Sequence, residues 1–132
     1  MFKVLSAVDK KRPVNLDLGT IKLPITSYVS ILHRVSGVIM FFTLAVFLWM
    51  LDTSLASEQS FNDLAAMFAN PICQFIIWGS LAALAYHAVA GIRHMIMDFG
   101  VGEDSFASGR NSAWAAMIVA ALVIALITWW IL

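Results

Sequence analysis

The residues with the clearest chemical potential are titratable side chains at helical spacing in the second half of the chain. His87, Gly91, His94 and Asp98 follow the series i, i+4, i+7 and i+11, so on an α-helix they share one face. His87 lies inside residues 64–92, a stretch without Asp, Glu, Lys or Arg. An imidazole there is costly to leave without a partner and is therefore a candidate functional residue. We expect it to bind a metal, most plausibly haem iron.

A haem ligand needs an imidazole aimed at the iron and a flat, uncrowded wall beside it. The small residues Ala83 and Gly91, one turn from His87, would supply that clearance. His94 cannot bind the same iron from the opposite side, because it shares the face and lies about 10.5 Å along the axis. The other axial ligand must come from another helix or another chain. The alternatives are a buried His87 hydrogen-bonded across helices and a solvated or headgroup-facing His94. Arg93 and Asp98 are interpreted as residues at the interfacial end of the helix, although Asp98 could also pass protons inward.

A second group of polar residues lies near the start of the first apolar segment. Ser30, His33 and Arg34 are at i, i+3 and i+4 and project from one side of a helix. A hydroxyl and a guanidinium one turn apart suit a quinone, since Ser30 can hydrogen-bond a carbonyl and Arg34 can stabilise developing negative charge. His33 and Arg34 could equally pair with haem propionates. The alternative is a helix-starting Ser with an Arg whose head reaches the interface.

The elements that position these residues are membrane helices. The chain has 132 residues, of which 61% are hydrophobic and 12% charged, against about 45–50% and about 25% in soluble domains. Apolar runs predict an all-α membrane protein with three transmembrane helices, at about 27–51, 70–98 and 111–132. Residues 1–26 form a polar arm, and the whole chain, 1–132, is one membrane-anchor domain. Asn70-Pro71 is a helix start signal, and Gly100 and Gly102 end that helix.

The distribution of charge predicts the orientation of these helices. The charged residues of the connector at 52–67 are all acidic. Every Lys and Arg falls in the N-terminal arm or near the other helix ends. By the positive-inside rule the N-terminus is cytoplasmic, the 52–67 connector is periplasmic, and the C-terminus is periplasmic.

The two polar groups together resemble the signatures of a known family. Arg12-Pro13-Val14, Leu18, Ile25 and residues 30–36 resemble the first signature of the succinate dehydrogenase cytochrome b large membrane subunit. Residues 87–98 resemble the second signature of the same family. The resemblance covers about 11–104, has no departure at the motif positions, and is closest to the bacterial, enterobacterial-like form.

This resemblance implies specific roles for the chain. It would be a subunit of succinate dehydrogenase and not an enzyme alone. His87 matches the axial ligand of haem b, whose partner is a histidine of a second small membrane-anchor subunit. Ser30 and Arg34 match residues of the ubiquinone site, and His33 and Arg34, with His94, are assigned to the region of the haem propionates. The expected location is the bacterial inner membrane.

The resemblance implies two further partners, a flavoprotein and an iron–sulfur subunit, and what the chain lacks agrees with this. One cysteine excludes a cysteine cluster, and no flavin-binding fingerprint is present. FAD and iron–sulfur clusters are therefore expected in a flavoprotein and an iron–sulfur subunit that the resemblance places on the cytoplasmic face. No nucleic acid partner is expected. Two alternatives stay open: a stand-alone homodimeric b-type cytochrome with paired His87 residues, and a non-redox scaffold or small transporter.

Overall fold

A computed structural model describes residues 20–102 and 104–131 of the chain. Within these residues the structure is helical and contains no strand. The four helices are α1 (Ile25–Ala56), α2 (Glu58–Met67), α3 (Pro71–Asp98) and α4 (Phe106–Ile131). Helices α1, α3 and α4 are long and apolar enough to cross a membrane. The predicted all-α architecture with three membrane helices is confirmed, whereas the orientation of the termini stays a prediction.

The start and end of α3 follow the sequence signals. The Asn70 side chain accepts a hydrogen bond from the backbone N–H of Ile72 at 2.9 Å, and Pro71 is the first helical residue. After Asp98 the backbone turns through Gly100 and Gly102, which have φ values of 79° and 89°. Glycine adopts these left-handed conformations without a steric cost. They end α3 where the sequence predicted.

The other helices differ from the predicted boundaries. Helix α1 continues to Ala56, and most of the expected 52–67 connector is helical. The reason is local: Ser57 caps a new helix by accepting a hydrogen bond from the backbone N–H of Ser60 at 3.0 Å. Helix α4 begins five residues before the predicted 111, because the Ser105 hydroxyl caps it by accepting a hydrogen bond from the backbone N–H of Ser108 at 3.1 Å. The expected loop at 99–110 is therefore shortened to 99–105.

Helix α3 packs against both α1 and α4, and α1 also contacts α2 and α4. The central packing cluster contains Val29, Ala90 and Ala113, with exposures of 0%, 1% and 0%. Small residues let membrane helices approach closely, which is how such helices gain packing energy in lipid. Side-chain hydrogen bonds add to this: the Tyr86 hydroxyl donates to the Val29 carbonyl at 3.0 Å. The other end of α3 is joined to α4 in the same way, since the Trp78 indole donates to the Thr128 hydroxyl at 2.8 Å.

Candidate functional site

Three imidazole rings form a stack between α1 and α3. His33 of α1 lies in the middle, with ring centroids 4.1 Å from His87 and 4.9 Å from His94, and the planes are tilted by 22° and 21°. Both α3 histidines thus face α1, as the predicted shared face of His87 and His94 requires. The local cause is helical spacing, because i and i+7 return to the same side after two turns.

The Nδ1 atom of His87 lies between two oxygen atoms of α1. It is 3.1 Å from the carbonyl oxygen of His33 and 3.2 Å from the hydroxyl of Ser36. A carbonyl oxygen can only accept a hydrogen bond, so Nδ1 must carry the proton. The neutral imidazole then has its lone pair on Nε2. Within the described residues, no hydrogen bond occupies Nε2 of His87.

The other two imidazoles are held in different ways. His94 has Nδ1 2.7 Å from the carbonyl oxygen of Ala90, so by the same reasoning Nδ1 donates and Nε2 lacks a proton in the neutral ring. His33 has a buried Nε2 without a hydrogen-bond partner among the described residues. Leaving a buried polar atom without a hydrogen-bond partner costs free energy, so Nε2 of His33 is a candidate atom for a further polar contact.

Two glycines allow the helices to approach at this level. A Cβ atom added at Gly37 would lie 3.1 Å from Cε1 and 3.5 Å from Nδ1 of His87. A Cβ atom added at Gly91 would lie 3.3 Å from Nε2 of His33. That Ala83 and Gly91 leave clearance for a porphyrin beside His87 stays a prediction, and in the structure Gly91 lies against His33. The residue that makes room for His87 is Gly37 on the facing helix.

Arg93 connects this region to α4. Its side chain is buried, with 7% exposure, and donates through Nε to the Ser112 hydroxyl at 3.2 Å. Its second guanidinium nitrogen, Nη2, donates to the Gly109 carbonyl at 3.1 Å. The predicted interfacial position of Arg93 stays a prediction, and the structure adds that its buried side chain joins α3 to the first turns of α4.

The remaining candidate residues lie beside the imidazole stack. Ser30 is half-buried and Arg34 is exposed, and neither makes a side-chain hydrogen bond to a described residue. Their i, i+4 spacing keeps them on one flank of α1, next to the face that carries His33. Asp98 is exposed at the end of α3. The structure therefore brings the three histidines together, whereas the side chains of Ser30, Arg34 and Asp98 make no hydrogen bond to any other described residue.

Sequence reasoning missed two residues of this site, Ser36 and Gly37. Both follow His33 at i+3 and i+4, so they lie on or beside the same face of α1. A small hydroxyl residue followed by glycine one turn after a histidine was the signal available. What the spacing could not give was the register of α1 against α3, which sets His87 opposite these two residues.

The three imidazoles do not form a self-contained metal centre. Among residues 20–102 and 104–131, no three His, Cys, Asp or Glu side chains are arranged to hold one metal ion. A stack of parallel rings presents its nitrogen atoms side by side and does not point them at a common centre.

The sequence matches a known family over nearly its whole length. Residues 8–128 fit the family described as succinate dehydrogenase/fumarate reductase transmembrane subunit. The chain belongs to this family. It is 37% identical to the succinate dehydrogenase cytochrome b556 subunit of Coxiella burnetii, over 94% of this chain and 99% of that protein. Proteins of the same name from Rickettsia felis and Paracoccus denitrificans are 31% and 28% identical, over 98% and 89% of this chain and 99% and 88% of theirs.

Family membership and the helices together define the class of protein. The chain is a cytochrome b-type membrane subunit of succinate dehydrogenase, and so a component of an oxidoreductase complex. With three helices that can cross a bilayer, it is a multi-pass protein of the bacterial inner membrane. The large exposed apolar surface of α1 and α4 agrees with that environment, since residues such as Phe41 and Trp129 are 75% and 84% exposed.

Proposed function

We propose that the chain binds haem b through Nε2 of His87, together with a histidine of a second small membrane-anchor subunit. The observation that carries the proposal is the hydrogen bonding of Nδ1. Metal-binding histidines typically donate their other ring N–H to a carbonyl or similar acceptor, which fixes the tautomer and the ring orientation. His87 has this arrangement, with the His33 carbonyl oxygen 3.1 Å from Nδ1.

The surroundings of His87 fit the same cofactor. His33 has a buried Nε2 without a partner among the described residues. Arg34 follows His33 directly in α1. His94 of α3 stacks against the His33 ring. The Arg34 guanidinium, and His33 in the tautomer that has its proton on Nε2, can donate to the negatively charged propionates of a haem, whereas His94 would lie beside this group with its Nδ1–H already donated to the Ala90 carbonyl. When bound, haem supplies one-electron transfer, and the residues of this chain hold it in place and balance its charge.

The quinone site is assigned to Ser30 and Arg34. Reduction of a quinone adds two electrons and two protons, and negative charge develops on its carbonyl oxygens. A hydroxyl donor and a fixed positive charge beside those oxygens stabilise that charge. Ser30 and Arg34 have the required chemistry, and neither side chain is occupied by a hydrogen bond to a described residue. Ubiquinone is the substrate that the family resemblance implies.

The third part of the proposal is tethering. The flavoprotein that carries FAD and the iron–sulfur subunit would dock on the cytoplasmic side of this chain and of the second membrane-anchor subunit.

The test of tethering is purification of the tagged chain from its native membrane. We expect flavin, iron–sulfur clusters and a reducible b-type haem in the preparation. A haem-containing preparation without those subunits would instead support a homodimeric cytochrome, and the absence of haem would support a scaffold.

A matched pair of serine variants tests the quinone site. We expect Ser30→Ala to lower succinate–quinone reductase activity by roughly 10²–10³, the effect of removing one donor to a developing oxyanion in other enzymes. Succinate oxidation with an artificial acceptor that bypasses the membrane should survive. Ser54→Ala is the control, because among the described residues the Ser54 hydroxyl bonds only to the Leu51 carbonyl, near the opposite end of α1. Wild-type quinone turnover in Ser30→Ala would contradict the assignment.

A further inference from the structure

Ser36 is a buried serine whose hydroxyl contacts the imidazole of His87. It is 5% exposed, donates to the carbonyl oxygen of His33 at 2.8 Å, and lies 3.2 Å from Nδ1 of His87. We infer that Ser36 is a positioning residue that fixes the His87 ring and sets how strongly it donates electron density to a metal. This inference rests on the proposed haem ligation by His87.

The hydrogen-bond inventory determines the role of the hydroxyl. Ser36 has one hydroxyl proton, and that proton is used in the 2.8 Å bond to the His33 carbonyl. Toward His87 the oxygen can therefore only accept. The Nδ1–H of His87 is thus shared between two acceptors, the Ser36 hydroxyl and the His33 carbonyl.

Two acceptors on Nδ1–H draw the proton away from the ring and make the imidazole more electron-rich. An electron-rich ligand favours the ferric over the ferrous state, so it lowers the midpoint potential of a bound haem. Removing the Ser36 hydroxyl should have the opposite effect. One acceptor, the His33 carbonyl, would remain, so the imidazole would stay in the same tautomer but donate less strongly.

The same helix turn also restricts the ring sideways. Ser36 contacts the Nδ1 edge of His87, and the next residue, Gly37, faces Cε1 so closely that an added Cβ would be 3.1 Å away. Two adjacent residues of α1 therefore lie against two adjacent atoms of the imidazole, Nδ1 and Cε1, and restrict the position of the ring. Loss of the Ser36 contact should allow a rotation that changes the angle between the imidazole plane and that of the second ligand.

Ser80 provides a matched control within the same structure. It is also buried, with 3% exposure, but its hydroxyl donates to the Ile76 carbonyl of its own helix at 2.8 Å. No ring nitrogen is involved. A general effect of removing a buried hydroxyl would appear in Ser80→Ala, whereas an effect that acts through His87 would appear only in Ser36→Ala.

The experiment measures the haem of the intact complex in Ser36→Ala, Ser36→Thr and Ser80→Ala. For Ser36→Ala we expect a rise in midpoint potential that corresponds to an about three- to tenfold change in the ferric-to-ferrous preference, or about 30–60 mV at 59 mV per tenfold. The highest g value of the low-spin ferric signal should shift as well. Ser36→Thr keeps the hydroxyl and should restore both quantities toward wild type, and Ser80→Ala should leave them unchanged.

The outcomes separate this inference from the proposed function. A wild-type complex without haem, or a haem unaffected by replacement of His87, would remove the basis of both. A haem that depends on His87 but keeps its potential and g values in Ser36→Ala would overturn only the role of Ser36. If Ser36→Ala does not assemble, Ser36→Cys is measured instead. Sulfur is a weak acceptor, so the same upward shift is expected, and an unchanged potential would overturn the inference.

Discussion

Replacement of Gly37 by Ala perturbs the His87 ring from the facing helix without changing any polar group. The added Cβ would be 3.1 Å from Cε1 of His87, whereas carbon atoms pack at about 3.5–4.0 Å. The ring must therefore move by at least about 0.4 Å, or α1 and α3 must separate by a similar distance. Either response moves Nε2 relative to a bound iron.

Two opposing energies decide the stability of this variant. Alanine is favoured over glycine inside a helix by about 0.8–1.0 kcal/mol. Overpacking a close contact costs about 1–3 kcal/mol. The cost exceeds the gain over most of this range, so Gly37→Ala should destabilise the complex by up to about 2 kcal/mol. Gly79→Ala is the control, because its Cβ would meet nothing within 4 Å and only the helix preference remains.

The assay combines a reduced-minus-oxidised visible spectrum with thermal unfolding of the complex. We expect Gly37→Ala to shift the haem spectrum and lower the unfolding temperature, whereas Gly79→Ala keeps the spectrum and unfolds at the same or a higher temperature. A wild-type spectrum in Gly37→Ala, together with the same thermal change as in Gly79→Ala, would refute the close packing of Gly37 on His87.

Three further predictions concern other parts of the structure. Gly91→Ala should change the haem less than Gly37→Ala does, because its Cβ would meet His33 at 3.3 Å and not His87; an equal or larger spectral shift would contradict this. Arg93→Leu should destabilise the complex by about 1–3 kcal/mol, since it removes the two hydrogen bonds by which Arg93 joins α3 to Ser112 and Gly109 of α4, and a thermal unfolding temperature equal to wild type would argue against that role. In a background without the native cysteine, Glu58→Cys should react with an impermeant thiol reagent from the periplasm and Asp104→Cys only from the cytoplasm; the reverse pattern would overturn the orientation.

The sequence was sufficient for the features that depend on local patterns. Apolar length predicted three membrane helices, and Asn70 with Pro71 predicted the start of α3, because a cap and a fixed φ act on their own helix. The end of α3 was equally local, since Gly100 and Gly102 adopt positive φ. The histidines of α3 were placed on one face by the 3.6-residue period alone.

The features that depend on how two helices meet could not be predicted. The contact of Ser36 with His87 is set by the register of α1 against α3, which no single-helix pattern contains. The burial of Arg93 likewise depends on α4, which starts earlier than expected and offers the Gly109 carbonyl as an acceptor. The helix at 58–67 was missed because its cap, Ser57, follows directly on the end of α1.

The most direct test of the account is the haem of the purified complex after His87→Leu, with His94→Leu as the control. His94 lies on the same face of α3 and in the same imidazole stack, but it is not proposed as a ligand of the iron. We predict that His87→Leu abolishes or shifts the bis-imidazole spectrum and changes the midpoint potential, while His94→Leu keeps bis-imidazole ligation. An unchanged reduced spectrum and midpoint potential in His87→Leu would contradict the central claim that this residue binds the iron.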